Sequence, residues 1–144
     1  MRMRTRVATN VSKLKSASKS IQYALNMSLH DVGDDLVRAS SGAAPHETGY
    51  LESSWNKKVD TSPTQGSVEV SYRAYNRGFN YALKMHEGSY NLGEGSRRKP
   101  GGIGMSGRRY PVGAKFLERP LMGERSAYQK HVKERLARNL KALD

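Results

Sequence analysis

The chain has 144 residues, no Cys, and 25 Lys plus Arg against 13 Asp plus Glu, for a formal net charge of +12. That length holds one modest core and little of a second, and the missing thiols exclude disulfides and thiolate metal sites while leaving a reducing compartment and a non-covalent extracellular particle equally open. The charge favours polyanions or acidic protein surfaces without choosing between them, and no apolar run approaches the roughly 18 residues that span a bilayer. With no apolar signal core at the N-terminus either, a soluble chain that is not exported by the general secretory route is expected.

Residues 1 to 30 carry Arg2, Arg4, Arg6, Lys13, Lys15 and Lys19 with no acid before Asp31. Mitochondrial transit peptides share that pattern, but a flexible basic N-terminus over residues 1–9 is the simpler expectation. From Val11 onward Leu14, Ile21, Leu25, Val32 and Leu36 recur at steps of three, four or seven, which predicts a helix over 10–41 with Asn10 as N-cap and Gly42 in the left-handed position after it. Lys13, Lys15 and Lys19 mostly fall off that stripe, as on an ordinary solvated face.

Residues 43–49 have no helical period, and Pro45 disfavours helix before it, so a turn leads into a β-meander over 50–87. Leu51, Trp55 and Val59 share one face of a first strand. Thr61 to Gly66 reads as a hairpin connection, and Val68, Val70 and Tyr72 alternate with Glu69, Ser71 and Arg73 in the clearest strand of the chain. A turn at Asn76-Arg77-Gly78 leads to a further strand with Tyr81, Leu83 and Met85 on one face.

Residues 88–114 hold eight of the 14 glycines, five cations (Arg97, Arg98, Lys99, Arg108, Arg109) and one acid, Glu94. Ordering such a backbone costs about 1 kcal/mol or more per residue, and its few apolar side chains return about 2 kcal/mol each at full burial, so a mobile loop is expected. Arg97, Arg98, Lys99, Arg108, Arg109 and Tyr110 make it a candidate contact surface, suited equally to a nucleic-acid backbone and to an acidic protein. Phe116-Leu117 then precede Pro120, and Leu121, Tyr128, Val132, Leu136, Leu140 and Leu143 mark a helix over 120–143.

No catalytic constellation emerges. His30, His46, His86 and His131 fall in different predicted elements. His86-Glu87 invites a metal or nuclease reading, yet adjacent strand residues face opposite ways and no partner follows at ligand spacing. Asp34-Asp35 reads as a solvated helix face, since neighbouring carboxylates project about 100° apart. Gly101, Gly102, Gly104 and Gly107 match neither phosphate-loop pattern. No enzyme, metal or cofactor is expected.

In order, the chain presents a long N-terminal helix, Pro45-His46-Glu47-Thr48-Gly49-Tyr50-Leu51-Glu52-Ser53-Ser54, a short meander, Tyr81-Ala82-Leu83-Lys84-Met85-His86-Glu87-Gly88, and Phe116-Leu117-Glu118-Arg119-Pro120-Leu121. This succession, over roughly residues 10 to 143, resembles the tail-completion, or neck, family of long-tailed bacteriophages. Pro45, Thr48, Gly49 and Leu51 match its turn motif, Tyr81, His86, Glu87 and Gly88 its Tyr-Ala segment, and Phe116, Leu117, Pro120 and Leu121 the lead-in to its last helix. The segment 88–114 is longer and more basic than the family pattern requires.

The resemblance implies a single-domain α+β virion subunit that forms a ring, usually six-fold, at the head-tail junction. Head-connector and tail-tube proteins would be its neighbours, and double-stranded DNA would pass through the centre. The motif positions are expected to be structural, with Gly49 turning the chain and Phe116-Leu117 fixing its return to the core. The alternative is a basic nucleic-acid-binding protein of ribosomal type.

Overall fold

The computed structural model describes residues 3–10, 19–63, 65–76 and 79–142. In chain order these form β1 (Met3–Asn10), α1 (Lys19–Ala43), α2 (Tyr50–Ser53), β2 (Trp55–Thr61), β3 (Gln65–Tyr72), β4 (Tyr75–Asn76), β5 (Phe79–Asn80), α3 (Tyr81–Glu87), α4 (Glu94–Arg98), β6 (Gly102–Ile103), β7 (Arg109–Tyr110) and α5 (Glu118–Ala142). The expected α+β class holds: a long helix near each end with small antiparallel sheets between them.

The main sheet has the order β1-β3-β2, with β3 central and both neighbours antiparallel. Val68, Val70 and Tyr72 on β3 are buried, as the alternation predicts. Tyr72 sets its hydroxyl 2.6 Å from Ser40 Oγ, which donates onward to the Leu36 carbonyl. That chain satisfies two hydroxyls that would otherwise be costly to bury.

Helix α1 forms the middle layer. On one side Gly33 faces Lys57 and Val68, and Leu25 and Leu29 lie over Gly66 of the sheet. On the other side α5 runs antiparallel to it, tied by Asp35 to Tyr128 (2.9 Å), Asp31 to His131 (3.0 Å) and Ser20 to Asn139 (3.2 Å). A helix covered on two sides needs more than one apolar stripe. Accordingly Ala24, Ser28, Ala39 and Ala43 are buried beside Ile21, Leu25, Leu29, Val32 and Leu36. On α5, Tyr128, Val132 and Leu136 complete the core, while Leu121 is half-buried and Leu140 is 39% exposed.

Several expected boundaries are corrected. Residues 3–10 are a strand, and Asn10, expected as a helix cap, pairs with Gln65. The free edge of β3 gives this segment a full row of backbone partners that a flexible tail would seek in water. The described part of α1 begins at Lys19. Val11, Lys13, Leu14 and Lys15 lie outside the described residues, as do Arg2, Arg77, Gly78 and Leu143. Gly42 is inside the helix, with no positive φ. Gly49 does take φ 86°, and opens the single turn of α2 where a strand start was expected. Trp55, expected on a buried face, is 46% exposed: it shares its face of β2 with the half-buried Lys57 and Val59, but as the first residue of the strand it is the least covered of the three. The segment Tyr81 to Met85, expected as a strand, is helix α3. The Asn80 side chain caps it by accepting from the Leu83 amide at 3.1 Å, and Ala82 and His86, four apart, face the core.

Candidate functional site

The 88–114 segment contains a helical turn and a hairpin, and polar anchors seat both on the two long helices. Asp35, expected on a solvated face, is buried on α1 and accepts the Met105 amide (2.9 Å), the Tyr128 hydroxyl (2.9 Å) and an Arg38 N–H (2.6 Å). Glu124, fully buried on α5, accepts the Ser106 amide (2.8 Å), the Ser106 hydroxyl (2.5 Å) and the Tyr110 hydroxyl (2.7 Å). Burial alone would raise the Glu124 pKa, but its hydrogen bonds with Ser106 and Tyr110, together with nearby Arg108, outweigh burial and hold it below the ordinary range. Burial first, then Glu124, push the Tyr110 phenol upward, so it stays a protonated donor.

A third anchor is backbone against backbone. At Gly102 an added Cβ would overlap the Ala39 carbonyl, and at Gly42 it would stand 2.6 Å from Gly102 Cα. Only glycine at both positions lets the hairpin lie this close to α1.

The six expected loop residues therefore separate. Lys99 is internal: its ammonium donates to the Ser41 carbonyl (2.8 Å), the Ala44 carbonyl (2.6 Å) and Glu52 (2.6 Å), closing the C-terminal end of α1 where unpaired carbonyls gather. Tyr110 is buried with Glu124. Arg97, Arg98, Arg108 and Arg109 remain exposed, with Arg98 paired to Glu94, Arg108 over the Tyr110 ring at 5.7 Å, and Arg109 bonded to the Pro100 carbonyl. Arg108 and Arg109 join Arg119, Met122 and Gly123 around an open groove of about 400 Å³. Arg119 is fixed there by the Ala114 (2.9 Å) and Pro111 (2.7 Å) carbonyls. Three guanidiniums around a groove suit phosphates or carboxylates.

The motif residues converge at the C-terminal end of α1. Pro45, Leu51, Phe116, Leu117 and Pro120 are buried there or beside it. Phe116 packs edge-on against both Tyr72 and His86, with ring centres 5.2 Å apart in each case. His86 is a clamp: Nδ1 faces Glu87 at 2.9 Å, Nε2 accepts the Glu118 amide at 3.3 Å, and its carbonyl takes the Lys115 amide at 2.7 Å. Glu87 also pairs with Lys115. These bonds fix the start of α5 and leave neither ring nitrogen free. Gly88 closes α3 through a 2.7 Å bond to the Lys84 carbonyl.

Ser96 ties α4 to the same region, accepting the His46 amide at 2.8 Å and donating to the His46 carbonyl at 3.1 Å. Glu52 accepts from both His46 and Lys99. Burial would raise the Glu52 pKa, but those two hydrogen bonds and the charges behind them hold it low. Beside this network Thr48 joins Glu47, Tyr50, Leu51, Tyr75 and Tyr81 around a cleft of about 280 Å³.

Sequence reasoning did not find Asp35, Glu47, Glu52, Arg119 or Glu124 as anchoring or lining residues. For Glu124 the available signal was its place four residues before Tyr128, on the core stripe of α5. Among the described residues no three His, Cys, Asp or Glu side chains are grouped to hold a metal ion. Compared with protein-family models, curated proteins and solved structures, the chain matches none.

Proposed function

We propose that the chain is a head-tail joining subunit of a long-tailed bacteriophage, a tail-completion or neck protein. It assembles as a ring, six-fold by the family's habit, between a head connector and the tail tube, with double-stranded DNA passing through. The observation that carries this reading is the ordered succession of three motifs, 45–54, 81–88 and 116–121, which support one another around one end of α1. They act there as structural positions, as such a fold requires.

Arg97, Arg98, Arg108 and Arg109 supply the joining surface, while Lys99 and Tyr110 hold it in place from beneath. A basic, outward-facing surface on a rigid seat favours contact with acidic neighbours and tolerates DNA nearby. The test is deletion of the reading frame in the source phage. Separate filled heads and finished tails, joined again on adding the protein, are expected. Joined infectious particles without it would overturn the reading.

The +12 charge and the groove of Arg108, Arg109 and Arg119 also favour a nucleic-acid-binding protein of ribosomal type. That reading requires tight binding to RNA or DNA that weakens steeply with salt. The joining reading does not.

A further inference from the structure

We propose that the cleft between Glu47 and the tyrosines Tyr50, Tyr75 and Tyr81 receives an arginine side chain from a second copy of this chain. The proposal rests on the ring reading and adds one of its contacts.

The first observation is electrostatic. The chain has nearly twice as many cations as carboxylates, and most of its acids have a cation at hand. Asp34 pairs with Lys57, Asp35 with Arg38, Glu52 and Glu87 with Lys99 and Lys115, Glu94 with Arg98, and Asp60 with Lys58. Glu47 has none among the described residues, where it accepts one hydrogen bond, from the Tyr81 hydroxyl at 3.4 Å. In so basic a chain, an exposed carboxylate without a cation is an open position for one.

The second observation is the wall of the cleft. Tyr50 is 51% exposed, and Tyr50, Tyr75 and Tyr81 all border the same space as Glu47. Aromatic faces attract cations within about 6 Å of the ring centre, and Arg73 already lies 5.4 Å above the Tyr75 ring. The Tyr50 and Tyr81 rings with the Glu47 carboxylate complement a flat, weakly hydrated guanidinium better than a strongly hydrated ammonium. The volume, about 280 Å³, leaves room for one inserted side chain.

The third observation concerns the source. Arg125, on α5 and outside the joining surface, is exposed and pairs with no carboxylate among the described residues, and the same helix carries Arg119 of a separate groove. The cleft and that groove share no residue. A ring is built by joining unlike patches of neighbouring copies, and a carboxylate-aromatic cleft on one copy with an arginine face on the next provides such a pair.

The test is sedimentation of the wild type, Glu47→Gln and Tyr50→Ala over a concentration series, with argininamide as competitor. Both side chains are exposed, so unchanged thermal midpoints serve as the folding control. The wild type should self-associate, each variant should weaken association about tenfold, and argininamide should dissociate the wild type. Variants that associate like the wild type would overturn the cleft assignment and leave the ring reading intact. A wild type that stays monomeric while binding argininamide would overturn the second copy as occupant. The joining role itself is judged separately, by the deletion phenotype.

Discussion

The Tyr110 hydroxyl donates to Glu124 across 2.7 Å, joining a two-residue strand of the glycine-rich segment to the second long helix. The same carboxylate takes the Ser106 amide and hydroxyl, so one buried group on α5 holds three donors of the hairpin.

Glu124→Ala should therefore destabilise the fold strongly. It leaves those donors unpaired, at about 1 to 3 kcal/mol for each donor that water does not reach, so a total loss of about 3 kcal/mol is expected. Tyr110→Phe should cost about 1 kcal/mol. Urea unfolding of the three proteins measures both, and equal midpoints would show that the hairpin is not held in this way.

The pH dependence follows from the same carboxylates. Glu52 and Glu124 are both held below the ordinary carboxylate pKa, so near that pKa, about 4.3, the unfolded chain binds more protons than the folded one. Their contribution is complete above about pH 4.3 and is lost as pH falls through their lowered folded values. Stability should accordingly fall on acidification below that point. Glu124→Gln, measured by thermal midpoint across pH 3 to 7 (roughly the span of ordinary carboxylate titration), should show a shallower fall than the wild type.

Close approach at Gly102 gives a third test. A methyl group there would overlap the Ala39 carbonyl on α1, and overpacking of this kind costs about 1 to 3 kcal/mol. Gly102→Ala should lose about 2 kcal/mol by denaturant unfolding. Gly93→Ala, in the same segment but with open space around it, should change little.

The basic residues should divide into two groups. Lys99→Met removes the cation that joins two helix-end carbonyls to Glu52, and a loss of about 2 kcal/mol is expected. Reversing Arg97, Arg98, Arg108 and Arg109 to Glu should leave the melting temperature of the isolated protein nearly unchanged and impair joining of heads to tails in a mixing assay. A large drop in melting temperature for that variant would place these arginines in the fold instead of on the joining surface.

Apolar period made the central strand and the last helix legible. Val68, Val70 and Tyr72 alternate because only one face of β3 meets α1, and Tyr128, Val132 and Leu136 recur at four because one face of α5 does. The same logic misreads Tyr81, Leu83 and Met85, where a seven-residue helix is too short to display its own period. Asn80, a capping residue directly before it, was the better guide. In β1, Thr5, Val7 and Thr9 alternate with Arg4, Arg6 and Ala8, a strand period that the high local charge of Arg4 and Arg6 masks.

The 88–114 segment reads as a mobile loop for a different reason. Weighing its backbone entropy against apolar burial alone omits what anchors it: Asp35, Glu124 and Lys99, which are polar, and Gly42 against Gly102, which is contact between backbones. Pairs such as Asp35 with Met105 join residues 70 positions apart, and no local pattern in the sequence reports them.

The most direct measurement is cryo-electron microscopy of the intact particle. A ring of copies of this fold is expected at the junction between the DNA-filled head and the tail, with Arg97, Arg98, Arg108 and Arg109 facing the adjoining head or tail proteins. Density at that junction explained by other proteins, with this chain absent from the particle, would contradict it.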